Sequence, residues 1–193
     1  MNFAAARQFV LDTLQKGLDP ALSYHGLHHT LDVERAAAEI SVLEDLPSSD
    51  RWLVQTAALF HDAGFLWGHE EHEQRGCALA KRHLPDFGYS PAQIAQVTSS
   101  ILATSIPQQP RNLLEKILCD ADLDYLGRED FFAIADTLFR ELQHFGRISD
   151  RDAWNIIQIQ FLDNHTYFTD TNKRRRETGK QFNLEVLKKS CKI

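Results

Sequence analysis

Six of the nine histidines lie between positions 25 and 72, and three acids crowd into the apolar stretch Leu118-Cys119-Asp120-Ala121-Asp122-Leu123-Asp124-Tyr125. Imidazoles and carboxylates together hold divalent cations of intermediate softness, and a carboxylate is costly to bury unless it is paired or coordinated. His61-Asp62 follow Leu53, Ala57 and Phe60, which share one helical face, so an imidazole and a carboxylate stand side by side at its inner end. Earlier, His25, His29, Val33, Ala36 and Ile40 recur at spacings of three and four, an inward stripe; His28 falls instead with Asp32, Arg35 and Glu39 on a water-facing side. In the acidic stretch, Asp122 follows Leu118 by four and precedes Tyr125 by three, while Asp120 follows Lys116 by four and reads as solvated and salt-bridged. Asp122 is favoured over Asp120, which stays open as the competitor. His29, His61, Asp62 and Asp122 are thus read as the ligands of one divalent ion: manganese, iron, cobalt, nickel or zinc in preference to magnesium.

Helices must position these groups. Periodicity of 3.6 recurs throughout and strand-like alternation is scarce, so the expected fold class is all-α, a single-domain helical bundle over 1–193. Helices are expected over about 2–16, closed by Gly17, about 24–43, ending before Pro47, and 51–61, with Gly64 helping to stop the third. Further helices are expected over 70–83, 92–104 after Ser90-Pro91, 112–126, 128–145, 150–168 and 171–189.

Composition bounds the function classes. With 193 residues, 43% hydrophobic and 10% aromatic, the chain can bury a substantial core. A net charge of -6 argues against a nucleic-acid polymer as partner and for a small molecule. The basic run Lys173-Arg174-Arg175-Arg176 reads first as a solvated helix face and second as a phosphate-attracting patch. Cys77, Cys119 and Cys191 are odd in number and lack CxxC spacing, which fits a reduced, cytoplasmic setting; no signal peptide or membrane span is expected, and oligomeric state is not legible.

Three segments carry a family resemblance: Tyr24-His25-Gly26-Leu27-His28-His29-Thr30-Leu31-Asp32-Val33, Phe60-His61-Asp62-Ala63-Gly64 and Asp120-Ala121-Asp122-Leu123-Asp124-Tyr125-Leu126-Gly127. Their order resembles the H…HD…D signature of HD-superfamily metal-dependent phosphohydrolases. The similarity extends to Gly68-His69-Glu70-Glu71-His72 and Phe161 to Phe168, as in a bacterial subgroup of predicted phosphohydrolases. The resemblance implies an HD-type bundle around one ion and cleavage of a phosphate ester or anhydride of a nucleotide or related small molecule by a metal-activated water. Asp62 would accept the proton of that water. His25, in a segment similar to that of cyclic-nucleotide phosphodiesterases, is read either as the acid for the leaving oxygen or as a structural hydrogen-bonding group. His72 is expected to touch substrate, and a second metal using His69 and His72 is possible but not favoured, because Ile101-Leu102-Ala103-Thr104-Ser105 supplies no further histidine. His165, on a face with Trp154, Ile157 and Phe161, is a packed core histidine or a substrate contact; Arg176 and Lys180 are candidate phosphate binders. The rival functions are a di-iron HD oxygenase and a metal-containing nucleotide sensor without turnover.

Overall fold

Local signals start several of the helices. Asn2 accepts from the Ala5 amide and opens α1 (Phe3–Gly17), Asn112 accepts from Glu115 and opens α6 (Leu113–Asp122), and Asp150 accepts from Ala153 and opens α8 (Arg151–Asn164). Ser90 and Gln93 form a reciprocal capping box, with Pro91 as the first residue of α5 (Pro91–Ala103). The remaining helices are α2 (Leu27–Leu43), α3 (Ser48–Phe60), α4 (His72–His83), α7 (Phe131–His144) and α9 (Asp170–Ser190). The computed structural model describes residues 1–191, and among them there is no strand; short 3-10 turns occupy Ala63–Trp67, Leu84–Phe87 and Asp124–Gly127. The all-α expectation holds, and no helix among the described residues is long and apolar enough to cross a membrane.

Two apolar clusters organise the helices. Val10, Leu14, Ile40, Val54, Phe60 and Leu118 belong to the first, built by α1 to α6 with α2 packed most extensively on α3. Leu126, Phe131, Phe139, Trp154, Leu162 and Leu184 belong to the second, built by the turn after α6 with α7, α8 and α9. Each fully buried large side chain in these clusters contributes roughly 1.5–3 kcal/mol relative to exposure. Tyr24 and Leu123 belong to the second cluster while Leu27 and Ala121, a few residues away in sequence, pack with the first, so the two cores meet beside the start of α2 and the end of α6.

Several expected boundaries move, the helix expected over 112–126 ending at Asp122 and the one expected from 128 starting at Phe131 among them, and two of the shifts have plain tertiary causes. The second helix begins at Leu27 and not at Tyr24, because Gly26 is an extended N-cap and the Tyr24 and His25 amides donate to the Glu141 carboxylate at 2.8 and 3.0 Å. His25 therefore sits in a loop, and its reach toward His29 does not come from helical spacing. The eighth helix stops at Asn164 and not at Phe168, since the Phe168 and Thr169 amides turn to donate to Asp120 at 2.8 Å each.

Close backbone approach locks α9 onto the 3-10 turn after α6. A Cβ on Gly127 would stand 2.2 Å from the Arg176 carbonyl oxygen, and one on Gly179 would stand 2.2 Å from the Gly127 carbonyl oxygen. Gly64 plays the same part at the start of α4: a Cβ there would meet the His72 carbonyl oxygen at 1.9 Å. Absence of a side chain at Gly64 is what lets His72 settle next to the His61-Asp62 corner.

Candidate metal centre

His29 comes from the first turns of α2, His61 caps the end of α3, Asp62 follows it at the entry to the 3-10 turn, and Asp122 ends α6. Their side chains converge. His29 Nε2 is 3.2 Å from Asp122 Oδ1 and 3.4 Å from Asp62 Oδ2, while His61 Nε2 is 3.1 Å from Asp62 Oδ2 and 3.5 Å from Asp122 Oδ1. Ligands held about 2.1 Å from one ion in tetrahedral geometry stand roughly 3.4 Å from each other, so these separations fit coordination. His29, His61 and Asp122 each offer an atom within 4.8 Å of the others, a cluster able to hold a metal ion.

The electrostatics point the same way. His61 Nδ1 donates to the Ala58 carbonyl at 2.7 Å, which leaves Nε2 as the ring atom that faces the cluster. Both His61 Nε2 and Asp62 Oδ2 are buried without a directed hydrogen-bond partner, a costly arrangement that a cation between them relieves. Burial alone would push Asp62 and Asp122 up, but the facing imidazoles outweigh it: His61 holds Asp62 far below the usual carboxylate range, and the His29 hydrogen bond together with the nearby His61 ring brings Asp122 to about 2. Burial likewise opposes a charge on His61, yet the Asp62 and Asp122 carboxylates raise it well above its ordinary value. Two imidazoles facing two carboxylates make a donor set that fits a divalent ion with mixed nitrogen and oxygen ligation.

Asp120 does not face this cluster, nor does it face water. It is fully buried on the opposite side of α6, where its carboxylate accepts from the Phe168 amide, the Thr169 amide and, at 2.6 Å, the Thr169 hydroxyl. Burial pushes it up to about 6 against these donors. Thr169 in turn caps α9 through the Asn172 amide, so Asp120 anchors the start of that helix. The expectation of a solvated, salt-bridged Asp120 is corrected: α9, distant in sequence, covers that face.

A cavity of about 270 Å³ opens from the cluster, with Asp62, Asp122, His25, His72 and Glu73 at one end. His25 stacks on Phe65 with centroids 4.0 Å apart, and its Nδ1 is 2.5 Å from Glu141 Oε1. Glu141 is completely buried; burial raises it, but the His25 ring, and after it the Tyr24 and His25 amides, more than offset that and keep it ionised. With Nδ1 occupied, Nε2 is the ring nitrogen of His25 left for chemistry. Sequence reasoning missed Glu141. The available signal was a carboxylate three residues beyond Leu138 on the stripe of Phe131, Ile134 and Ala135.

His72 lies at the cavity, its Nδ1 on the His69 carbonyl at 3.0 Å and its Nε2 3.7 Å from Asp62 Oδ1 and 3.5 Å from Glu73 Oε1. His69 turns away toward Glu141, at 3.7 Å, and packs edge-on against Phe145.

Three expected substrate contacts are not brought to this cavity. Lys180 is 1% exposed; its Nζ donates to the His165 carbonyl and pairs with Glu177 at 3.1 Å, which ties the segment after α8 to α9. Arg176 donates through Nε to the buried Asp124 carboxylate at 2.8 Å and is likewise committed to the fold. His165 lines a neighbouring cavity with Ile106, Leu123, Ile157 and Phe161, and both its ring nitrogens are buried without partners. Arg128 is held by Asp32 at 2.7 Å and Asp130 at 2.8 Å, and Lys173, Arg174 and Arg175 are exposed.

Comparison with known proteins agrees with this geometry. Residues 26–124 match the HD domain. A solved structure of a predicted HD superfamily hydrolase from an uncultured Thermotogales bacterium is 25% identical, covers 96% of this chain and 89% of its own, and superposes with a TM-score of 0.64. Bacillus subtilis YpgQ, solved alone and in complex with ADP, is 20% and 19% identical, with a TM-score of 0.66 in both cases and coverage of 98% and 97% of this chain and 97% of its own; at that identity it shows the fold alone. No curated protein matches. With the match spanning the three segments that bring His29, His61, Asp62 and Asp122 together, the chain belongs to the HD domain family, a superfamily of metal-dependent hydrolases.

Proposed function

We propose that the protein is a phosphohydrolase that uses one divalent ion, held by His29, His61, Asp62 and Asp122, to cleave a phosphate ester or anhydride of a small molecule, a nucleotide or a related compound. The observation that carries this reading is the converging pair of imidazoles and pair of carboxylates at the head of a cavity. When bound, the ion supplies a Lewis acid for a phosphoryl oxygen and lowers the pKa of water toward neutrality. The rest belongs to the chain. Asp62 commits Oδ2 to the imidazoles and keeps Oδ1 toward His72, which makes Oδ1 the atom able to take the proton of the attacking water. His25, oriented by Glu141, offers a proton from Nε2 to the departing oxygen. The balance closes: phosphorus gains a bond to the water oxygen, its bond to the leaving oxygen breaks, and each of the two protons has a residue to carry it. The solved complex of YpgQ with ADP lends support to a nucleotide.

A dinuclear oxygenase is the second reading, and one observation favours it: His72, Glu73 and Asp62 Oδ1 gather within 3.5–3.7 Å beside the first site. Metal content and product decide between them. Protein reconstituted with manganese, cobalt, nickel or iron is assayed for phosphate release from a broad ester panel and for oxygen consumption. One metal per chain with phosphate release supports the proposal; two irons with oxygen consumption, or tight ligand binding without turnover, overturns it.

A further inference from the structure

Beyond the metal end, the walls of the 270 Å³ cavity are largely apolar. Tyr24, Tyr125, Phe131, Trp154 and Phe161 supply aromatic surface, and Leu126, Leu138, Ile157 and Leu162 fill between them. Polar groups interrupt this wall at Thr104, at the Trp154 indole nitrogen and at Gln158, whose amide nitrogen pairs with Asn155 at 3.4 Å; the Trp154 nitrogen and the Gln158 amide oxygen are buried without a hydrogen-bond partner. The rim is apolar as well: Ile106 is 63% exposed and Ile157 46% exposed. Among the described residues no lysine or arginine lines the cavity. Its charged groups are Asp62, Asp122 and Glu73, with two histidines, and Arg176 and Lys180, the cations closest in sequence to serving a phosphate, are spent on Asp124 and on His165 with Glu177.

A cation of charge two is matched by the two aspartates that hold it, so the site can meet one phosphoryl group at the ion and little more. A second or third phosphate would stand either against the Glu73 carboxylate or among aromatic walls that cannot solvate it. A ribose would find the Trp154 indole nitrogen and the Gln158 amide oxygen as buried unpaired partners for its hydroxyls, with aromatic and aliphatic surface around them. The volume lies just below the roughly 300–1,000 Å³ range of ordinary ligand pockets, enough for one compact ring system.

Resting on the phosphohydrolase reading, but departing from the nucleotide that the YpgQ complex with ADP suggests, we infer that the substrate is a phosphate monoester of a small apolar alcohol, an aryl or branched-alkyl group seated in the chamber between α7 and α8, and not a nucleoside polyphosphate. Water is consumed, the phosphorus–ester oxygen bond breaks, and the apolar alcohol and inorganic phosphate leave.

The test compares 1-naphthyl phosphate with glycerol phosphate, ribose 5-phosphate and adenosine mono-, di- and triphosphate on the manganese-loaded protein. Burying the naphthyl ring gives it a kcat/KM on the order of 100-fold above glycerol phosphate, and rates fall as phosphates are added to adenosine. Equal or faster hydrolysis of ribose 5-phosphate or adenosine triphosphate overturns the inference. A second readout does not need turnover: calorimetry of 1-naphthol binding to protein without added metal. Leu138→Trp, which fills the chamber, weakens naphthol binding at least tenfold, and Ile157→Trp at the half-exposed rim serves if the first variant fails to fold. If no ester is cleaved, the phosphohydrolase reading falls while naphthol binding still decides the chamber; no measurable naphthol binding to the unsubstituted protein overturns the chamber assignment.

Discussion

Asp120 and Asp122 are two residues apart on one helix, and the structure gives them opposite jobs, so exchanging each for asparagine separates metal binding from stability. In Asp120→Asn the amide oxygen can keep only part of what the carboxylate accepts now, two backbone amides at 2.8 Å and the Thr169 hydroxyl at 2.6 Å. At least one buried amide loses its acceptor, at about 1–3 kcal/mol, and the surviving bonds lose their charge assistance. The expected cost is about 2–4 kcal/mol. For a chain of this length each kcal/mol moves Tm by roughly 2–4 °C, so a drop of about 5–15 °C is expected. Metal content should be unchanged, because the cluster and Asp120 lie on opposite sides of α6. Asp122→Asn removes a charged oxygen 3.2 Å from His29 Nε2 and 3.5 Å from His61 Nε2. Losing a charged ligand weakens metal binding by more than the 10–100-fold typical of altering a supporting hydrogen bond. Thermal unfolding with and without manganese reads both effects, since an ion at 100 times its Kd stabilises the folded state by about 2.7 kcal/mol. Asp120→Asn should keep that metal-dependent rise from a lower starting Tm, and Asp122→Asn should lose the rise. The opposite pattern, with metal lost from the Asp120 variant and retained by the Asp122 variant, would refute the assignment.

His61→Ala should abolish bound metal by elemental analysis, whereas His28→Ala, on the exposed side of α2, should retain it; metal loss on the His28 change would show that a different face of α2 serves the site. Glu141→Gln should lower kcat roughly 100-fold with KM and metal content little changed, because the His25 ring loses its orienting carboxylate; unchanged kcat would remove His25 and Glu141 from the chemistry. His165 is pushed down to about 4, first by burial and then by Lys180, so it folds as the neutral form. Its stabilising contribution, at most about 3 kcal/mol, is then fully present above pH ~6.5 and is lost as pH falls toward 4. Denaturant titrations across that range should show the loss, His165→Gln should flatten it, and an unchanged pH slope in that variant would sink the assignment.

Much of the architecture is legible in the chain because helical periodicity, capping residues and turn formers act over a few residues. Ser90-Pro91 with Gln93 starts α5 where local chemistry requires, and the apolar run through Phe60 delivers His61 and Asp62 to one corner. The histidines and acids able to bind a metal can likewise be recognised by type and spacing. Other features depended on partners far away in sequence. Residues 120 and 122 differ by roughly 200° around α6, yet two buried faces are possible once α9 covers one of them, and only packing tells which acid meets a cap and which meets imidazoles. His25 left its expected helix because a carboxylate 116 residues later takes its amide and its ring. Arg176 and Lys180 looked available to a phosphate because sequence cannot show that Asp124 and the carbonyl of His165 already hold them. The sequence by itself determined an all-helical fold and the candidate metal-binding side chains, since those follow from local geometry and ligand chemistry. The tertiary structure decided which of the polar groups are consumed in holding the fold, because a buried charge takes the partner that packing puts within reach.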